Sequence, residues 1–121
     1  ALDAGVPADH VTFSSDGQGS LPVFGPDGSF QGLGVGKVSS MYRELCDAVL
    51  NDGVSLTDAL KLVTSNPAFL LKLEQKGRLA EGADGDLVLA DQKTLKLHTV
   101  MAKGRLMVSD GKALVRGTFE R

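Results

Sequence analysis

With 121 residues, 42% of them hydrophobic, the chain is long enough for one domain with a modest core and has the composition of a soluble globular protein. A net charge of -2 with the two signs interspersed leaves no basic stripe for nucleic acid and no polybasic patch for a membrane surface. A single cysteine, Cys46, excludes an internal disulfide, no Cys/His cluster marks a structural zinc site, and no apolar run suits a signal segment or a bilayer span. The expected setting is therefore reducing and cytoplasmic.

The opening Ala1-Leu2-Asp3-Ala4-Gly5-Val6-Pro7 has no initiator Met and reads like the tail of a helix entering a turn, so the chain is expected to be cut from a longer one. Val11 to Ser15 is predicted to be a strand. Directly after it, Ser14-Ser15-Asp16-Gly17-Gln18-Gly19-Ser20 presents a carboxylate past the strand end, on a glycine-rich turn with a serine four residues further on. Catalytic groups of barrel enzymes sit at such strand ends. A carboxylate there can hold a metal or move a proton, and glycines let backbone amides approach an anionic substrate. The alternative is an ordinary turn, whose chemistry uses the same residue types. The stretch from Gly17 to Gly36, with Pro22 and Pro26-Asp27-Gly28, reads as one long loop, a length often tied to function.

From Val38 the apolar spacing becomes helical: Val38, Met41, Tyr42, Leu45 and Val49 share a face that ends near Asn51-Asp52-Gly53. Ser55-Leu56-Thr57-Asp58 starts a second helix like a capping box, with Leu56, Ala59, Leu60 and Val63 as its buried face. Asn66-Pro67 is expected to interrupt it, and Ala68 to Leu73 to add a turn or two closing on Lys76-Gly77.

After Gly77 the pattern turns to β. The apolar run Leu87 to Ala90, then Leu97 to Ala102 and Arg105 to Val108 joined by Lys103-Gly104, and a last strand around Ala113 to Arg116 are predicted. Gly32 to Lys37 lacks both the GxGxxG spacing and the Ser or Thr that a Walker A loop requires. Cys46 reads as a packed thiol, Asp84 and Asp86 as shapers of the turn before Leu87, and His10 and His98 as surface residues.

In this layout Thr64-Ser65-Asn66-Pro67-Ala68, Lys76-Gly77-Arg78-Leu79, Gly82 to Val88 and Val100 to Gly111 resemble the C-terminal third of the amidohydrolase superfamily. Val11 to Ser20, Gly34-Val35 and the ending Gly111-Lys112-Ala113 to Gly117-Thr118-Phe119-Glu120 resemble, within it, isoaspartyl (β-aspartyl) dipeptidases. The resemblance implies an α/β fold: residues 1–75 as the last strand and helices of a metal-dependent (β/α)8 barrel, and residues 76–121 as strands of a small β-sandwich. It also implies a zinc-dependent metallopeptidase with a binuclear centre, acting on small isoaspartyl dipeptides and assembling as a homo-oligomer.

By the same resemblance Asp16 is a metal ligand and the proton-shuttling catalytic residue, and Ser20 binds the substrate's α-carboxylate, aided by the amides of Gly17 and Gly19. The family's other metal ligands, a His-x-His pair, a carboxylated lysine and two further histidines, have no counterpart here, so the chain alone is expected to be inactive. Two rival readings stay open. One is another amidohydrolase, a D-aminoacylase or dihydropyrimidinase-like cyclic amidase; the other is a non-catalytic α+β binding module.

Overall fold

The computed structural model describes residues 1–117, and the part of the expected C-terminal motif at Thr118 to Glu120 lies outside them. The chain divides into two compact units, Ala1–Val63 and Thr64–Arg121.

In the first unit two short 3-10 turns, Leu2–Ala4 and Ala8–His10, lead into an extended segment. Val11 is extended, as the β-rich composition dictates, yet residues 11–15 join no ladder. A strand needs a partner to exchange backbone bonds with. Here the segment is tied to residue 62 instead, where Phe13 N–H donates to the Leu62 carbonyl at 3.0 Å.

The stretch expected as a loop is a β-hairpin, β1 (Ser20–Phe24) pairing antiparallel with β2 (Phe30–Val35). Its turn is built by Pro26-Asp27-Gly28. Proline fixes the first turn torsion, Gly28 N–H returns to the Gly25 carbonyl at 2.9 Å, and Asp27 Oδ1 accepts the Ser29 amide and hydroxyl at 3.0 and 2.7 Å. Those bonds, the hydroxyl's first, hold the Asp27 carboxyl below its ordinary value. Phe24 and Phe30 stack edge to face beside the turn, with centroids 6.1 Å apart.

Helix α1 (Ser40–Leu50) and helix α2 (Leu56–Val63) supply the unit's core, with Leu45, Ala59 and Leu62 buried. Met41, Tyr42 and Val49 are half-buried as the spacing predicts, while Val38 precedes the helix and is exposed. On α2 the buried face is rotated from the expected one: Leu62 is buried, whereas Leu56 and Leu60 are exposed. Ser55 caps α2 through its Oγ, which accepts Asp58 N–H at 3.1 Å, and the hydroxyl donates to the Asp58 carboxylate at 2.8 Å. Cys46 is half-buried one turn from Tyr42; burial first, and this thiol second, push the Tyr42 phenol up to about 12.

In the second unit helix α3 (Ser65–Leu70) contains Asn66-Pro67 rather than being interrupted by it. Proline is tolerated there because a first-turn N–H has no intrahelical acceptor. The break falls at Thr64, whose φ of -123° and ψ of -86° leave the helical region. A four-stranded antiparallel meander follows, β3 (Leu87–Ala90), β4 (Leu97–Ala102), β5 (Arg105–Ser109) and β6 (Lys112–Ala113), paired in chain order.

The last strand stops well short of Arg116. Asp91 folds the β3–β4 connection by accepting the Lys93 and Thr94 amides, at 3.0 and 2.8 Å, and Leu95 is buried beneath it. Lys76 binds Asp84 at 2.7 Å and also Asp86, whose other oxygen accepts Lys103 N–H at 2.6 Å, so the acidic turn shapes the sheet's start as expected.

The fold is thus mixed α/β with no closed barrel among the described residues. No described helix is long and apolar enough to cross a membrane.

Candidate functional site

The site grows from the loop before β1. Asp16 stands at φ 48° and Gln18 at φ 68°, both in the left-handed region that side chains disfavour, by about 1–2 kcal/mol per residue. The loop is held there by backbone bonds. Gly19 N–H donates to the Asp16 carbonyl, Gln18 N–H to the Gly36 carbonyl, and Gly36 N–H to the Gly19 carbonyl, each at 2.9 Å. Ser14 and Ser15 add side-chain acceptors, their Oγ atoms taking the Asp16 and Gly17 amides at 3.3 and 3.2 Å.

Gly17, Gly19 and Gly36 make room for this arrangement. A Cβ at Gly17 would meet Val38 Cγ2 at 2.7 Å. One at Gly19 would meet the Asp16 carbonyl at 2.9 Å and its carboxylate carbon at 3.3 Å. The Asp16 carboxylate is therefore folded over Gly19, in reach of solvent, since Asp16 and Ser20 are both exposed. Ser20 opens β1 opposite Val35, so one short segment of backbone carries the carboxylate and the hydroxyl. The amides of Gly17 and Gly19 already bond within the loop, and an incoming anion would compete with Ser15 Oγ and the Asp16 carbonyl for them.

Sequence reading named Asp16, Gly17, Gly19 and Ser20 but missed Gln18, Gly36 and Val38. Counting back from Pro26-Asp27-Gly28 does not find them, because a bulge between Val23 and Phe24 shifts the register by one residue and so sets Val35 opposite Ser20.

The histidines lie elsewhere. His10 is exposed in its 3-10 turn; His98 on β4 is exposed, 2.8 Å from Asp110 Oδ1 and 2.8 Å from Thr99 Oγ1. Among the described residues no three His, Cys, Asp or Glu side chains converge as a metal site would require. Zinc takes three or four protein ligands, so these residues do not hold a binuclear centre by themselves; Asp16 offers one carboxylate.

Known proteins bear on the same residues. In solved structures, the β-aspartyl dipeptidase of Fervidobacterium islandicum AW-1 in complex with β-Asp-Leu is 42% identical, with a TM-score of 0.79 over 99% of this chain and 31% of that one. A further β-aspartyl dipeptidase structure from that organism is 35% identical, with a TM-score of 0.74 over 98% of this chain and 28% of that one. Among curated proteins, α-D-ribose 1-methylphosphonate 5-triphosphate diphosphatase of Escherichia coli K12 is 48% identical over 44 residues, 36% of this chain and 12% of that protein. The chain thus spans less than a third of each of these proteins. The model of the amidohydrolase family matches residues 1–107, from the first 3-10 turn through the Asp16 hairpin and the helices into β5, and the chain belongs to that family.

Proposed function

We propose that this chain carries the proton-transfer carboxylate and the substrate-carboxylate contact of a zinc-dependent β-aspartyl (isoaspartyl) dipeptidase that is cytoplasmic and homo-oligomeric. The observation that carries the reading is the Asp16 loop. An exposed carboxylate is held at a disfavoured φ by a closed set of backbone bonds, in a chain whose likeness to a β-aspartyl dipeptidase covers 99% of its length. Backbone strain of this kind persists where the surroundings over-determine it, and it gathers at functional sites.

In the proposed reaction water adds to the side-chain carbonyl of the β-aspartyl bond and gives one proton to Asp16. The C–N bond then breaks, and Asp16 returns that proton to the leaving amine, so the carboxylate ends as it began. Ser20 Oγ–H donates to the substrate's α-carboxylate. Gly17 and Gly19 bring the loop backbone close to that group. A site that grips a carboxylate by hydrogen bonds rejects substrates lacking it, because its polar groups would stay unpaired.

The test is a substrate panel on the complete protein: β-Asp-Leu, α-Asp-Leu, an N-acyl-D-amino acid and a dihydropyrimidine. Preferential cleavage of β-Asp-Leu is expected. Preference for the D-amino acid derivative or the cyclic amide would move the assignment to another amidohydrolase, and no hydrolysis of any would favour a binding module. The 121-residue chain by itself is expected to turn over none of them, because one carboxylate does not make a metal centre.

A further inference from the structure

Gly36 is the buried residue on which the Asp16 loop closes. Its carbonyl takes the Gln18 amide and its amide reaches the Gly19 carbonyl, both at 2.9 Å, so the hairpin ladder runs past Ser20 and Val35 and ends against Asp16. A Cβ at position 36 would lie 2.5 Å from the Asp16 carbonyl oxygen, 3.3 Å from its carbon and 3.5 Å from the Gly19 oxygen. All three are backbone atoms and cannot swing aside as a side chain does. Gly36 is not at a positive φ. Alanine is therefore allowed by torsion there, and the conflict is one of space.

We propose that Gly36 is a positioning residue for Asp16: the missing side chain and the paired backbone bonds set where the carboxylate sits, without touching substrate. The inference rests on the reading of Asp16 as the proton carrier. With a methyl group at 36, the Asp16 carbonyl must withdraw from 2.5 Å by nearly 1 Å to reach ordinary contact. Displacements approaching 1 Å cost roughly 10²-fold in rate.

Three alanine variants of the complete protein, assayed on β-Asp-Leu, grade the effect. Gly36→Ala should lower kcat about 100-fold with KM within about 3-fold, the pattern of a group felt in the transition state. Gly19→Ala, whose Cβ would meet the Asp16 carbonyl at 2.9 Å, should lose less. Gly34→Ala is the control: it lies on β2 two residues before Gly36, is not at a positive φ, and would meet Val23 Cγ2 at 3.3 Å and the Leu21 carbonyl at 3.8 Å. It should stay within about 3-fold of the unaltered enzyme. A Gly36→Ala protein with unchanged kcat, or a Gly34→Ala protein equally impaired, overturns the inference.

Hydrogen exchange supplies a readout that needs no substitution and no turnover. In the unaltered protein the Gln18 and Gly36 amides should exchange at least about 10-fold more slowly than in a free peptide. Exchange at the free-peptide rate overturns the closure even if Gly36→Ala does not fold. Asp16→Asn separates the two claims. If that variant keeps full turnover, the proton-carrier reading fails and takes this inference with it; if it is inactive while Gly36→Ala is normal, only the role of Gly36 fails.

Discussion

The Asp16 loop and the tight turns of the β3–β6 sheet are composed of much the same residue types and fold by different rules. Lys103-Gly104 and Asp110-Gly111 are two-residue connections with both members at positive φ, 49° and 72° in the first and 49° and 71° in the second. That is the geometry in which hairpins favour an X-Gly pair, and glycine relieves half the strain. In the Asp16 loop the positive φ values fall on Asp16 and Gln18, while Gly17, Gly19 and Gly36 have none. There the glycines provide room, and the strain rests on residues with side chains. A turn serves to reverse the chain, whereas this loop holds a carboxylate in a place that the backbone alone would not choose.

Asp16→Asn breaks the comparison most severely. The change keeps the side chain's shape and removes its charge and its ability to accept a proton, so kcat of the complete protein on β-Asp-Leu should fall by about 10²-fold or more. Asp110→Asn, in the ordinary turn, should leave kcat unaltered. Steady-state kinetics of the two variants checks both.

Ser20→Ala comes next. Loss of a hydrogen bond to a charged carboxylate costs roughly 1.5–3 kcal/mol. If Ser20 holds the substrate equally in ground and transition states, the cost appears in KM with kcat preserved. An unchanged kcat/KM for β-Asp-Leu would remove Ser20 from the site.

Swaps at the strained torsions sharpen the contrast through stability. Gln18→Gly removes a left-handed penalty and should raise stability by up to about 1 kcal/mol, the chain-entropy cost of glycine offsetting part of the gain. Gly104→Ala, at φ 72° in open space, should lower stability by about 1 kcal/mol. Denaturant midpoints report both, and equal signs would contradict the left-handed penalty at one of the two positions.

The smallest effect is that of Lys76→Met. The side-chain bond from Asp84 and then that from Asp86 raise the Lys76 ammonium, and Asp86 is lowered, first by Lys76 and then by the Lys103 amide. A lowered carboxyl stabilises the fold above its unfolded value, near about pH 4, and loses that contribution as pH falls through its folded value. A raised lysine contributes below its unfolded value and loses the contribution as pH climbs past its folded one. The variant should therefore melt slightly lower at neutral pH, with the gap to the unaltered protein closing in acid; thermal scans from acid to neutral pH would show it. The groups are partly exposed, so the shift is small.

Much of this fold is legible in the sequence where one local signal dominates. The period of Met41, Tyr42, Leu45 and Val49 gives α1, and Lys103-Gly104 fixes the β4–β5 hairpin. The readings that fail depend on partners distant in sequence. Val11 to Phe13 has strand-forming residues but joins no ladder among the described residues, and the glycines from residue 17 to 36 hide a hairpin whose apolar alternation is broken by Gly32 and Gly34. Asp16 is conspicuous as a carboxylate on a glycine-rich turn. The role of Gly36 depends on a closure visible only once β1 and β2 are in register.

If Asp16 carries the proton, its loop faces the scissile bond of a β-aspartyl dipeptide. A crystal structure of the complete protein carrying Asp16→Asn, with β-Asp-Leu bound, addresses it directly. The residue-16 side chain is expected within hydrogen-bond reach, about 2.6–3.2 Å or one water away, of the reacting water or the leaving nitrogen, and Ser20 Oγ bonded to the α-carboxylate. A dipeptide bound away from residues 16–20, or with its α-carboxylate held by other groups while Ser20 faces solvent, would contradict it.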